Sequence, residues 1–167
     1  VFQIQYKQGD QNYSSSIARN YQARGETINS RYNSTGAGEV AKLDLIKDYE
    51  QDDIRKGFSV KFAANTQVND WFVTKFRDNS DAAGTNGWGG NDWILIRYAD
   101  VMLLLAEAKY HLGKDAEAIA LLDQVRERAG LPSYATSMLN TTYRSKYPTL
   151  KEAILHERRV EPVSYTH

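Results

Sequence analysis

Apolar and polar positions alternate at the start of the chain, Phe2, Ile4 and Tyr6 against Gln3 and Gln5, which predicts a half-buried strand. From Lys7 to Gly38 the periodicity dissolves into Gln, Asn, Ser, Gly and Tyr. This predicts a long polar loop studded with aromatics, a feature uncommon in compact domains unless it binds something or packs on a neighbour. Val40, Leu43 and Ile46 recur at threes over 39–47 and predict a short helix that ends near Asp48 or Tyr49, with Gln51-Asp52-Asp53 as the turn after it. Alternation returns over 58–62 and again over 71–76, predicting a second and a third strand. Asn, Asp and Gly around Trp88 predict a loop between Asp78 and Asn91.

Residues 91–132 form the longest stretch with one reading, two helices joined by a turn at Gly113. The first helix is apolar round most of its circumference, so it is predicted to be buried on several sides. Its polar exception is a stripe of Arg97, Asp100, Glu107 and His111, which with Leu104 falls within about 80° of the helical wheel. The second helix has one apolar face, Ala118, Leu121, Leu122, Val125 and Ala129, with Glu117, Asp123, Gln124, Arg126 and Glu127 expected largely outside it. Residues 133–148 lack a clear period and read as a linker. Thr149 and Glu152 form a capping box that opens a last helix over 150–161, which Pro162 stops. The predicted architecture is mostly α with irregular loops and a few short strands. It divides into a strand-and-loop region with one short helix (1–90), the helical hairpin (91–132), and a linker with a capped terminal helix (133–167).

Composition narrows the chemistry. Lys plus Arg and Asp plus Glu are both 21, so nothing in the net charge favours nucleic acid or an anionic membrane surface as a partner. The absence of cysteine excludes disulfides, thiolate metal sites and thiol nucleophiles. The longest apolar run, Val101 to Ala106, is far short of a membrane span. His156-Glu157 begins like a zinc-protease motif, but Val160 stands where the second His is required. Gly87-Trp88-Gly89-Gly90 lacks the third glycine of a dinucleotide fingerprint. Asp78, Asp81 and Asp92 match the spacing of no calcium loop. No metal and no cofactor is therefore predicted. Asp100 and Glu107 lie about 10 Å apart along the helix axis. As charges on a buried-looking helix they need partners, which Arg158 or Arg159 can supply. Arg97, Asp100, Glu107 and Arg158 are accordingly read as a structural polar network, not as an acid/base pair.

Three motifs in order carry a family resemblance: Ile96-Arg97-Tyr98-Ala99-Asp100-Val101-Met102-Leu103-Leu104-Leu105-Ala106-Glu107-Ala108, then Val125-Arg126-Glu127-Arg128-Ala129-Gly130-Leu131-Pro132, then Ala153-Ile154-Leu155-His156-Glu157-Arg158-Arg159-Val160-Glu161. Together they resemble the SusD/RagB family, outer-membrane lipoproteins of Bacteroidetes that bind glycans outside the cell. The resemblance implies the C-terminal part of a SusD-like, tetratricopeptide-like α-helical fold, without the lipidated Cys and early helices of such proteins. It further implies surface glycan binding without catalysis in a polysaccharide-utilisation system, beside a SusC-like TonB-dependent transporter. The protein is then expected on the extracellular face of the outer membrane, attached only through a lipid anchor absent from these residues.

Sugars stack their C–H faces on aromatic rings while Asn, Gln, Asp and Arg hydrogen-bond their hydroxyls. Tyr13, Tyr21, Tyr32 and Trp88 lie in loops of that composition and are the glycan-binding candidates. The alternative reading is a tetratricopeptide-like interaction scaffold that contacts the outer-membrane transporter.

Overall fold

The computed structural model describes residues 2–28, 32–33, 40–78, 80–81 and 88–161. It separates into two compact units: residues 1–46 with 57–95, and residues 47–56 with 96–167.

The first unit is built from small two-stranded pairings. β1 (Phe2–Ile4) pairs with β6 (Trp93–Ile96), and β2 (Thr27–Ile28) pairs antiparallel with β3 (Tyr32–Asn33). β4 (Val60–Ala64) pairs antiparallel with β5 (Asn69–Val73), placing Phe62 opposite Trp71. The Asn65 side chain closes that hairpin by accepting from the Gln67 and Val68 amides. Ile17, Ala18, Ala23, Val60, Phe72, Val73 and Phe76 are buried in this unit.

Several boundaries differ from those predicted. The loop over 7–38 contains a helical turn, α1 (Ile17–Asn20), and the β2–β3 pair, all too short to show a period. The short helix expected to end near Asp48 or Tyr49 does end there, as α2 (Leu43–Asp48), but it begins only at Leu43. Phe58 and Ser59 end a helix, α3 (Ile54–Ser59), before the strand begins at Val60. The Asp53 carboxylate accepts from the Arg55 amide at 2.9 Å and starts that helix, a local signal that outweighs the alternation downstream. β5 stops at Val73, where Thr74 turns its amide to the Ser59 carbonyl and its hydroxyl to the Phe58 carbonyl.

Residues 93–96 are strand, so the hairpin's first helix, α4 (Tyr98–His111), starts later than residue 91. Asp100 fixes that start by accepting from the Arg97 amide at 2.8 Å. In the second unit α4 turns at Gly113, φ +70°, into α5 (Asp115–Arg128). The linker expected over 133–148 holds two short helices. α6 (Tyr134–Ser137) is capped by Ser133, and α7 (Thr141–Lys146) by Asn140, whose side chain accepts from the Thr142 and Tyr143 amides.

α8 (Leu150–Val160) opens on the Thr149/Glu152 capping box and packs on both α4 and α5. The core joins Leu103, Leu122, Val125, Tyr143, Leu150 and Ile154. Ala106 and Ala118 are fully buried, and their small side chains allow α4 and α5 to approach closely. Among the described residues α4 is packed on one side: Val101, Leu104 and Leu105 are exposed, against the expectation of burial on several sides.

Candidate functional site

Two loops of the first unit are joined backbone to backbone. Ser15 donates to the Gly89 carbonyl at 2.8 Å and Gly89 donates back at 3.2 Å, while the Gly9 amide reaches the Trp88 carbonyl at 3.0 Å. Within the first loop the Lys7 amide bonds the Tyr13 carbonyl at 2.8 Å. The Asp10 carboxylate accepts from the Asn12 amide and from Lys7 Nζ, at 3.0 and 3.2 Å, which builds the turn below Tyr13. Those same two donors, the amide first, hold the Asp10 carboxyl below its ordinary range.

The glycines of the second loop answer to this close approach. A Cβ on Gly89 would lie 3.0 Å from an Asp78 carboxylate oxygen and 3.3 Å from the Ser15 carbonyl, and one on Gly90 would lie 3.0 Å from Gln8 Cβ. Asp78 accepts from the Ser80 and Gly90 amides. Its burial pushes the carboxyl up, but these hydrogen bonds outweigh it and the net direction is down. Asp92 accepts from Gln3 Nε2 at 2.5 Å and from the Tyr6 amide at 2.9 Å. Both carboxylates thus act as loop fasteners.

The four aromatic candidates part company here. Tyr13 projects from its turn, 66% exposed, and Trp88 stands half-buried on the loop joined to it. Tyr21 instead belongs to a stack: its ring lies 5.0 Å from that of Phe76, which lies parallel to Trp93 at 5.9 Å. Tyr32 sits in β3 opposite Ile28, and its side chain falls outside the described residues. A further aromatic pair escaped the sequence reading, Phe62 edge-on to Trp71 at 5.6 Å, because only the β4–β5 register makes them neighbours.

The charged candidates fall into separate arrangements. Arg158 pairs with Glu107, whereas Asp100 accepts from the Arg97 amide at the start of α4; Arg159 pairs with Asp48. A larger network centres on Arg126, which is fully buried although it was expected mostly outside the apolar face of α5. Its spacing is the signal: Arg126 follows Ala118 and Leu122 at successive fours, on the stripe that enters the core. Arg126 donates to Glu50 at 2.7 Å, Glu157 at 2.6 Å, Ser137 at 2.7 Å and the Pro132 carbonyl at 2.9 Å. Arg55 adds Asp53 at 2.6 Å, Glu157 at 2.9 Å and Glu161 at 3.1 Å.

Burial pushes the Glu50 carboxyl up, but the neighbouring His156 and the Arg126 guanidinium, which hydrogen-bonds it, overcome this and bring it down to about 2. His156 is buried, stacked on Tyr147 at 4.1 Å, with Nε2 3.7 Å from Glu50. Glu50, His156 and Glu157 bring three ligand-type atoms within 4.8 Å of one another. The Arg126 guanidinium already bonds both carboxylates, however, so the position a cation would take is filled. This cluster fastens residues 47–56 to the helices of the second unit.

The model of the SusD family matches residues 2–162. The chain is similar to SusD-like protein P2 of Formosa agariphila, 28% identical over an alignment 141 residues long that covers 73% of this chain and 28% of that protein. It is also similar to SusD-like protein P38 of the same organism, 34% identical over 59% of this chain and 19% of that one. Among solved structures, surface glycan-binding protein A from Bacteroides uniformis superposes with a TM-score of 0.72 at 20% identity, over 97% of this chain and 34% of its own. NanU of B. fragilis superposes at 0.64 with 24% identity, over 96% and 40%. The chain thus spans less than half the length of each of these proteins, and the fold it shares with the solved ones is part of theirs.

Proposed function

This chain belongs to the SusD family, a carbohydrate-binding family, and we propose that it captures oligosaccharide at the outer-membrane surface, without catalysis, for a SusC-like TonB-dependent transporter. The observation that carries this reading is the pairing of the Tyr13 and Trp88 loops. Their backbones are fastened by the Ser15–Gly89 and Gly9–Trp88 bonds, while the Tyr13 ring stays in solvent. An aromatic ring held on a rigid turn loses little freedom when a sugar stacks on it. Gln8 and Asn12 beside it offer the amide groups that read hydroxyls. Surface glycan-binding protein A, which shares the fold, lends support through its name alone.

In this reading Tyr13 and Trp88 touch the sugar, and Tyr21 supports the site through the Phe76–Trp93 stack. Titration of the protein with a panel of polysaccharides, followed by tryptophan fluorescence, tests it: a saturable response to at least one glycan is expected. If the folded protein binds a transporter of this class but no glycan, the interaction-scaffold reading replaces it. Release of reducing ends from any glycan would overturn the non-catalytic assignment.

A further inference from the structure

The two stretches that form the proposed Tyr13–Trp88 platform, residues 6–15 and 88–92, contain one cation, Lys7, and two acids, Asp10 and Asp92. Asp78 brings a third carboxylate to the same place. All three hold backbone of the platform: Asp10 accepts from the Asn12 amide at 3.0 Å, Asp92 from the Tyr6 amide at 2.9 Å and Asp78 from the Gly90 amide at 3.2 Å. Asp10, through the Asn12 amide and Lys7, is held below the ordinary carboxylate range. Asp78 is held below it too, in spite of burial, by Ser80 and the Gly90 amide, so both stay charged at neutral pH. Against them stands one ammonium, Lys7 Nζ, 3.2 Å from Asp10. Arg77, next to Asp78 in sequence, pairs with Glu26 at 2.7 Å.

The groups of the platform that no other group engages are neutral. The side-chain amides of Gln8, Gln11 and Asn12 are exposed and bond to nothing among the described residues. An amide offers a donor and an acceptor, which suits a hydroxyl, and it brings no charge to balance a carboxylate or a sulfate. An acidic sugar stacked on Tyr13 would set a like charge beside three carboxylates answered by a single ammonium, an arrangement that costs affinity. The net charge of residues 1–167 is zero, so their overall field does not offset the repulsion. Building on the oligosaccharide capture proposed above, we infer that the Tyr13–Trp88 platform takes neutral oligosaccharides and discriminates against those carrying uronic-acid carboxylates or sulfate groups. Its acids then act twice, fastening the loops and repelling anions.

Calorimetric titration of the unsubstituted protein and of Tyr13→Ala tests this, with a panel of neutral, uronic-acid and sulfated oligosaccharides. The panel includes neutral members paired with the same molecules after oxidation of their primary hydroxyls to carboxylates. At low salt a neutral oligosaccharide is expected to bind, with its oxidised counterpart at least about tenfold weaker. Raising the salt to about 500 mM should narrow that gap by screening the repulsion, while the neutral affinity changes by less than about twofold. An acidic oligosaccharide that binds as well as or better than the neutral ones overturns the inference, and if Tyr13→Ala weakens that binding, glycan capture by the platform still stands. A gap that persists unchanged at high salt also overturns it, because the lost hydroxyl and not the added charge then causes the weakening. No binding of any member, or binding that Tyr13→Ala leaves unaltered, removes capture by this platform and the neutral preference with it.

Discussion

Tyr13 and Arg126 are opposite kinds of residue, one exposed on a loop and the other with no exposure at all. Tyr13→Ala removes a stacking surface and no core contact, so glycan affinity should fall about tenfold while the melting temperature holds. Calorimetric titration and a thermal melt check the two halves. Arg126→Leu leaves Glu50 without its guanidinium and Glu157 with Arg55 alone, at a cost of ~3–5 kcal/mol read from urea unfolding. Glu50 adds a pH signature. Its carboxyl titrates near 2 in the folded protein against an ordinary value of 4.5. A depressed folded value means that its contribution is complete above the ordinary value and fades as pH falls through that window towards 2. Unfolding measured between pH 5 and 2 should therefore show a shallower loss for Glu50→Gln than for the unsubstituted protein. Tyr13 was legible as an aromatic in a polar loop. Arg126 was readable only from its place on the α5 stripe, because its partners lie 76 and 31 residues away in sequence.

Among the elements, those that carry their own local signals were the most readable. The α4–α5 hairpin and α8 announce themselves through periodicity, the Gly113 turn and the Thr149/Glu152 box. Thr149→Ala should cost about 1 kcal/mol, with the loss seen as fraying at the start of α8 by hydrogen exchange. α6 and α7 escaped notice because helices of four and six residues show less than two turns of periodicity, and their caps, Ser133 and Asn140, were their only sign. The strand at 93–96 was absorbed into the hairpin because its partner, β1, lies at the far end of the sequence. The loop pairing was invisible for the same reason, although Gly89-Gly90 marks a place where two backbones meet. Gly89→Ala should push the Trp88 loop off Ser15 and weaken glycan binding about as much as Tyr13→Ala, since either change dismantles one half of the proposed platform.

For the molecule as a whole, membership of the SusD family and sharing of its fold rest on residues spread from one end of the match to the other. The motifs that carried the resemblance are scaffold: α4, α5 and α8 hold a core and an ionic cluster, and the aromatic loops lie in the other unit. Fold was thus far more readable than site, because helical repeats constrain many neighbouring positions whereas a sugar platform needs a few rings brought together by long-range pairing. The direct test is calorimetric titration of the unsubstituted protein and Tyr13→Ala with the same panel of oligosaccharides. Glycan capture by the Tyr13 loop predicts saturable binding of at least one glycan, weakened about tenfold in the variant at unchanged melting temperature. Unaltered affinity in Tyr13→Ala, or no binding across the panel by the folded protein, would contradict it.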